Sequence, residues 1–298
     1  DGKGIPLVKA EPAERVVRRG KGEKAHRKQM AVVATVSTQQ PRVRTPEEVI
    51  ESLFATGPQP GQAPEERPGG QGRPEDKRVW ASLLQGKEGV IDEMAQEMAR
   101  RDLEHTKPWV LLTDGERVLQ QTVEGRLPGI PLVLDFQHGL DKLWEAASAF
   151  HPEGSPEALA WVQERALRLL RGEVSQVIQG INQSATKRKL HGQRLKTVHA
   201  VTAYFSRNRG RMRYHEDLQQ GWPIATGVVE GACKNLVKGR MEQSGMRWTP
   251  PMAEAMLQLR ATYLSGDFEE YWAFHVQQEQ ERLHPPGQWR PVNFVDEK

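Results

Sequence analysis

The sequence is poor in cysteine and in long apolar segments. Cys233 is the one cysteine among 298 residues, which excludes an internal disulfide framework and a multi-cysteine zinc site. No stretch approaches the roughly 20 apolar residues that a membrane helix needs. The opening DGKG does not have the pattern of a signal peptide. We therefore expect a cytoplasmic protein that has no membrane partner.

Strong charge of one sign is also absent, because 42 Lys and Arg nearly balance 39 Asp and Glu to give a net charge of +3. Hydrophobic residues make up 37% and charged residues 27% of the chain. This composition excludes disorder throughout the chain and is sufficient for a packed core. The length suits one large domain with an insertion, or two domains.

The first 50 residues contain two apolar runs and one helix start. Residues 5–8 are expected to end a first strand, and the β-branched run 30–37 predicts a buried strand. The basic segment 11–28 between them predicts a loop or a hairpin connection. Thr45 followed by Pro46 is typical of the first turn of a helix.

The next part of the chain predicts a flexible loop followed by a βαβ unit. Ten of the twenty residues in 57–76 are Gly or Pro, which is typical of a loop. Asp114 and Asp135 each follow a short apolar run, and sites form at the carboxyl ends of parallel strands. The predicted elements after the loop are a helix at 87–102, a strand at 109–113, a helix at 116–127, a strand at 130–134 and a helix at 140–150.

The rest of the sequence has the hydrophobic spacing of helices, and residues 174–215 within it have an unusual charge pattern. Helices are expected throughout 156–214 and again over 228–241 and 250–265. Residues 174–215 contain no acid, which favours a surface that faces a polyanion. A solvated helix face is the alternative, although such faces normally mix charges of both signs. The nine basic residues of this stretch are Lys187, Arg188, Lys189, Arg194, Lys196, Arg207, Arg209, Arg211 and Arg213.

Further candidates lie on or after the helix expected over 228–241. Arg240 and Arg247 suit phosphate contacts, and Trp248 suits stacking on an unpaired base. Packing of Trp248 in the core is the alternative. Cys233 lies on the apolar face of the helix, and we expect it to be a small buried hydrophobic residue.

Acids at two strand ends and an acid on a later helix, Glu230, are an arrangement that suits a hard metal ion. Mg²⁺ prefers oxygen ligands, and two ions about 3.5–4 Å apart can activate a water and stabilise the leaving oxygen of a phosphodiester.

Five segments are similar to one bacterial family. They are DGKGIPL at 1–7, LLTDG at 111–115, DFQHGLDKLW at 135–144, GWPIATGVVEGACKNLVKGRMEQSGMRW at 221–248 and AEAMLQLRATYLSGDFEEYW at 253–272. The chain resembles the ISKra-type insertion-sequence transposases, which have a DDE catalytic core and are related to Mutator-like transposases. The resemblance runs from residue 1 to about residue 284 and is weak in the Gly/Pro segment and in the basic helical segment.

The resemblance implies a ribonuclease-H-like α/β fold, in which a mixed five-stranded sheet is flanked by helices and an all-helical insertion precedes the catalytic Glu helix. It implies the first part of the core at 1–150, a basic helical insertion at 151–218, the remaining core helices at 219–284 and a tail at 285–298. We expect the insertion to grip the transposon end beside the active site.

The resemblance also implies the site residues. Asp1 of DGKG is the first catalytic Asp, and Glu230 of VVEGACK is the catalytic Glu. The second Asp is open between Asp114, after the fourth strand, and Asp135, after the fifth. Mutator-like relatives carry a C/D-x-x-H motif downstream of their second catalytic Asp, and DFQH looks like that motif. We therefore assign Asp114 as catalytic, with Asp135 and His138 as ancillary; a helix-start role is the alternative for His138.

The implied reaction is hydrolytic nicking of double-stranded DNA at transposon ends, followed by strand transfer into target DNA. Asp1, Asp114 and Glu230 would hold two Mg²⁺ (or Mn²⁺) ions. A homo-oligomer in the synaptic complex and a nucleoid-associated location in the bacterial cytoplasm are expected.

Three other functions are alternatives. The main alternative is an inactive or N-terminally truncated transposase remnant that binds DNA without cleaving it. A cellular nuclease of the same fold explains the basic stretch and the specific motifs less well. Tyr204 and Tyr214 lie among basic residues and suggest a tyrosine recombinase, but the carboxylate motifs account for more of the chain.

Overall fold

A computed structural model describes residues 1–8, 28–55, 70, 72 and 74–284 of the protein. The described residues form a mixed α/β fold in which small sheets are flanked by helices. The tail predicted at 285–298 and almost all of the connection predicted at 11–28 lie outside the described residues, as does most of the loop predicted at 57–76. None of the helices in the described residues is both long and apolar enough to cross a membrane.

Three strands form an antiparallel sheet in the order β1-β2-β3. They are β1 (Gly2–Pro6), β2 (Lys28–Thr38) and β3 (Glu75–Ser82). Strand β3 was not predicted, and its first two residues fall within the Gly/Pro loop expected at 57–76. The first three residues of β3 are exposed, so the charged run EDKR hides the strand pattern.

The predicted βαβ unit is confirmed. Strand β4 (Leu111–Thr113) pairs in parallel with β5 (Leu132–Leu134), and α3 (Arg117–Arg126) connects them. The five described strands are hydrogen-bonded as two sheets, whereas the resemblance implies one. One edge of β1 is occupied near its end by another segment, because the Trp248 N–H donates to the Pro6 carbonyl at 3.1 Å.

The helices agree closely with the sequence patterns. The first, α1 (Pro46–Phe54), begins with the expected cap, since Thr45 Oγ1 accepts from Glu48 N at 3.2 Å. Helix α2 (Gly86–Arg101) lies between β3 and β4. Helix α4 (Phe136–Phe150) follows β5, where a helix is expected at 140–150. The region 156–214, expected to be helical throughout, contains α5 (Pro156–Leu170), α6 (Val174–Lys187), α7 (Gly192–Asn208) and the start of α8 (Tyr214–Gln219).

The segment that carries Glu230 is an α-helix that changes its hydrogen-bond pattern. It starts as α9 (Gly227–Ala232), becomes π-helical over Cys233–Lys238 and ends as α10 (Gly239–Met241). Short π-helical stretches inside helices are often found at functional sites. The last described helices are α11 (Pro250–Ser265) and α12 (Phe268–Leu283).

Three clusters of buried side chains hold these elements together. One joins β5 to α1 and to α4–α8, with Leu143 and Phe205 fully buried. A second packs the antiparallel sheet against the π-helical stretch and α11, around Ile5 and Leu257. The third joins β2, α2, β4 and α3, so it connects the two sheets. The ends of β4 and β5 are therefore fixed by packing from several sides.

Candidate metal centre

Asp135 is a fully buried carboxylate at the end of β5. One carboxylate oxygen, Oδ1, accepts from Gln137 N at 2.7 Å and so caps α4. The other, Oδ2, accepts from Thr226 N at 2.9 Å and from the Thr226 hydroxyl. A buried charge is tolerated when hydrogen bonds replace its hydration. Asp135 therefore ties the end of β5 to the start of the helix that carries Glu230.

Asp135, His138 and Glu230 form a group that could hold a metal ion, because their ligand atoms lie within 4.8 Å of one another. The His138 Nδ1 atom is 3.7 Å from Asp135 Oδ2, which is too long for a hydrogen bond. This nitrogen is buried, and it has no hydrogen-bond partner among the described residues. A buried polar atom without a partner calls for a bound ion or water.

Negative charge is in excess around Asp135, His138 and Glu230. The Asp135 carboxylate raises the pKa of His138, and Asp114 and Glu230 add to this effect. Burial raises the pKa of Glu230, and repulsion from Asp135 and Asp141 adds to it, although the Glu230 side chain is exposed. Four carboxylates thus act on one region, where a bound cation would relieve their repulsion.

Asp114 is only half-buried and keeps a carboxylate oxygen available. Its Oδ1 accepts from Glu116 N at 2.9 Å, and its main-chain carbonyl accepts from the Tyr204 hydroxyl at 2.8 Å. The second oxygen, Oδ2, accepts no hydrogen bond from the described residues. The charge of the Asp114 carboxylate also acts on the nitrogen of Asp1, at the start of β1.

Asp1 lies against the Glu230 helix. Its Oδ2 atom is 3.3 Å from the Cys233 Sγ, and its amino group donates to the Val33 carbonyl at 3.1 Å. Cys233 follows Glu230 by three residues, a spacing that places two side chains on one helix face. The cysteine is buried with 8% of its surface exposed, so that expectation is confirmed.

The residues assigned to the site are thus placed in two arrangements. The ligand atoms of Asp135, His138 and Glu230 lie within 4.8 Å of one another. Asp1, Asp114 and Glu230 do not form such a close group among the described residues. Asp1 nevertheless contacts the Glu230 helix, and the charge of Asp114 acts on both His138 and the Asp1 nitrogen.

Two further residues contribute to the site in ways that the sequence does not indicate. Thr226 precedes α9, but its side chain binds Asp135 and does not cap that helix. Tyr204 was considered as a recombinase nucleophile, but its hydroxyl is used in the contact with Asp114. No local signal reveals either pairing, because the partners are about 90 residues apart in the chain.

The nine basic residues of the helical region lie on its surface, but they are not equivalent. Arg211 is paired with Glu124, and Arg213 with Glu216. Arg188 donates to the Phe150 carbonyl at 2.7 Å, and Arg209 to Ser175 at 3.2 Å. The other five have no ion pair within the described part of the chain; they are Lys187, Lys189, Arg194, Lys196 and Arg207.

The candidates near the end of the Glu230 helix differ in exposure. Arg240 and Arg247 are exposed, and the Arg240 guanidinium is 3.6 Å from the Met246 sulfur. Trp248 is half-buried against the cluster under the antiparallel sheet, and its indole N–H donates to the Met241 carbonyl at 3.3 Å. Much of Trp248 is therefore committed to packing.

The site therefore places carboxylates from the carboxyl ends of β4 and β5 and from a later helix around one histidine. Comparison of the chain with protein-family models, with curated proteins and with solved structures found no match.

Proposed function

We propose that the chain is the catalytic domain of a DDE-type DNA transposase that carries out metal-dependent phosphoryl transfer on double-stranded DNA. The observation that carries the proposal is the convergence of carboxylates around His138, with a buried histidine nitrogen that has no partner among the described residues. The order of the elements agrees with a ribonuclease-H-like core interrupted by a helical insertion at 151–218.

The residues present fit divalent metal ions. Carboxylate oxygens are the donors that Mg²⁺ and Mn²⁺ favour. In the proposal, Asp1, Asp114 and Glu230 hold two such ions. Bound there, the ions would supply activation of the attacking hydroxyl and stabilisation of the leaving oxygen.

Asp114 suits the role of second catalytic acid better than Asp135 does. A carboxylate oxygen that accepts no hydrogen bond can bind a metal ion without giving up another partner. Asp114 is half-buried with one oxygen available, whereas both oxygens of Asp135 accept hydrogen bonds from Gln137 and Thr226. Asp135 then acts as a positioning residue that fixes the Glu230 helix, and its carboxylate also lies within 4.8 Å of the ligand atoms of His138 and Glu230.

The exposed basic residues of α6 and α7 provide the means to hold DNA. Lys196 and Arg207 are separated by eleven residues, or about three helical turns, so they lie on one face of α7. Neither has an ion pair within the described residues, so both are available for phosphate contacts. The proposed partners are transposon-end and target DNA and a second copy of the chain, in a bacterial cytoplasm.

The proposal is tested by nicking of supercoiled plasmid DNA by the full chain with Mn²⁺ or Mg²⁺. We expect the Glu230→Gln and Asp114→Asn variants to lose at least about 100-fold in rate, because several kcal/mol of charge stabilisation is removed. Glu153→Gln is the matched control, since Glu153 is exposed in a loop far along the chain from these acids. Nicking that survives Glu230→Gln would contradict the proposal. Duplex binding without any nicking would favour a chain that holds DNA without cleaving it.

A further inference from the structure

The end of β4 is attached to α7 at two consecutive residues. The Tyr204 hydroxyl donates to the Asp114 carbonyl at 2.8 Å. Next to it, the Gln120 amide donates to Thr113 Oγ1 at 3.3 Å and to Asn208 Oδ1 at 3.0 Å. Both Gln120 and Asn208 are buried. Helix α7 therefore holds the main chain at Asp114 directly, and it holds the Thr113 side chain through Gln120.

The turn after Asp114 is built around the Tyr204 ring. Gly115 has a φ of +85°, and a Cβ atom at this position would lie 2.6 Å from the Tyr204 hydroxyl oxygen and 2.8 Å from Leu134 Cδ1. The phenol thus packs directly on the residue that follows Asp114. Together with the bond from Glu116 N to the Asp114 carboxylate, this contact leaves Asp114 little freedom to move.

The same tyrosine is adjacent to two cations, of which Arg207 is exposed and Lys142 is half-buried and paired with Glu145. The Arg207 guanidinium lies 5.6 Å from the centre of the Tyr204 ring, and the Lys142 Nζ lies 5.7 Å from it. Arg207 has no ion pair among the described residues. A phosphate bound to Arg207 would therefore sit one side chain away from the group that fixes Asp114.

We propose that Tyr204 is a positioning residue that holds Asp114 in its metal-binding position and connects this acid to DNA bound on α7. The inference rests on the proposed function and adds a connection between the helical region and the metal centre. Loss of partners that orient metal ligands typically costs about 10–100-fold in metal affinity. Because Tyr204 acts through the main chain of Asp114, we expect a loss of about tenfold, at the lower end of that range.

The test is direct titration of the full chain with Mn²⁺ alone, in the absence and in the presence of a short duplex, for wild type and Tyr204→Phe. The phenylalanine keeps the ring and its packing and removes only the hydroxyl. We expect the variant to bind Mn²⁺ about tenfold more weakly, to bind the duplex as wild type does, and to lose any increase in Mn²⁺ affinity that the duplex causes. Tyr271→Phe on the exposed face of α12 is the matched control.

The outcomes separate this inference from the proposed function. If wild type binds Mn²⁺ in a manner that Glu230→Gln abolishes, and Tyr204→Phe binds it equally well, the role of Tyr204 is refuted while the metal centre stands. If Glu230→Gln leaves Mn²⁺ binding unchanged, or wild type binds no Mn²⁺, the metal centre fails and the role of Tyr204 fails with it. A Tyr204→Phe variant that loses Mn²⁺ and duplex binding together, with a lower melting temperature, would indicate a merely structural role and would also refute the inference.

Discussion

Replacement of Asp135 by Asn is the perturbation that most sharply separates the two candidate acids. The buried carboxylate accepts hydrogen bonds at both oxygens, from Gln137 N at 2.7 Å and from Thr226 N at 2.9 Å. An asparagine has one acceptor oxygen and one NH₂ group. In either orientation, therefore, its NH₂ group faces a main-chain N–H, and at least one partly buried N–H loses its acceptor.

The magnitude follows from the hydrogen bonds that are lost. A hydrogen bond to a charged group contributes about 1.5–3 kcal/mol, and the remaining bonds weaken when the acceptor becomes neutral. Relief from burying a charge offsets part of this loss. We expect Asp135→Asn to lower the free energy of unfolding by about 2–3 kcal/mol. Asp114→Asn removes no buried network and should change it by less than about 1 kcal/mol.

The assay is urea unfolding of both variants in the presence of a chelator, so that bound metal does not contribute. With a urea dependence of about 2–3 kcal/mol per molar, the midpoint for Asp135→Asn should fall by about 1 M. An Asp135→Asn protein as stable as wild type would refute the positioning role. If Asp114→Asn were the destabilised variant, the two acids would have to exchange roles.

Three further predictions concern the turn after β4, a buried acid in α8 and the basic face of α7. Gly115→Ala should destabilise the fold by at least about 2 kcal/mol in urea unfolding, because φ is +85° and the new Cβ would press on Tyr204; unchanged stability would contradict the packing. Burial raises the pKa of Asp217 from 3.8 to about 6, so this group favours folding below pH 3.8 and that contribution is lost as the pH rises through 6. Asp217→Asn should therefore be more stable than wild type by about 2 kcal/mol at pH 8 and should show no gain at acid pH, whereas an equal gain at both would rule out titration as the cause. Combined Lys196→Gln and Arg207→Gln should weaken duplex binding and reduce the slope of log affinity against log salt by about 2, and an unchanged slope would exclude phosphate contacts.

Local patterns were sufficient to predict most of the fold. The βαβ unit was found because its two strands are short apolar runs that end at Asp114 and Asp135, and the turn at Gly115 separates the first strand from its helix. Strand β3 was missed because its first three residues are exposed and charged. Hydrophobic patterns in a sequence reveal buried strand faces. Because β3 is buried only in its second half, its hydrophobic pattern is too short to predict a strand.

The sequence was sufficient to name the acids of the candidate site, but not to predict which side chains contact one another there. The link between Asp135 and Thr226 and the link between Asp114 and Tyr204 join residues about 90 positions apart. Such pairings depend on how the helices pack, which the order of residues along the chain does not specify. For the same reason, the sequence left the choice between Asp114 and Asp135 open, and the hydrogen bonds of the folded chain supply the argument for Asp114.

The most direct test of the central claim is the location of Mn²⁺ in crystals of the full chain, by the anomalous scattering of the metal. The account predicts two ions about 3.5–4 Å apart, with Asp1, Asp114 and Glu230 as ligands and Asp135 bound to Thr226. A single ion held by Asp135, His138 and Glu230 would contradict the assignment of Asp114. The absence of Mn²⁺ from all of these carboxylates would contradict the metal-dependent mechanism itself.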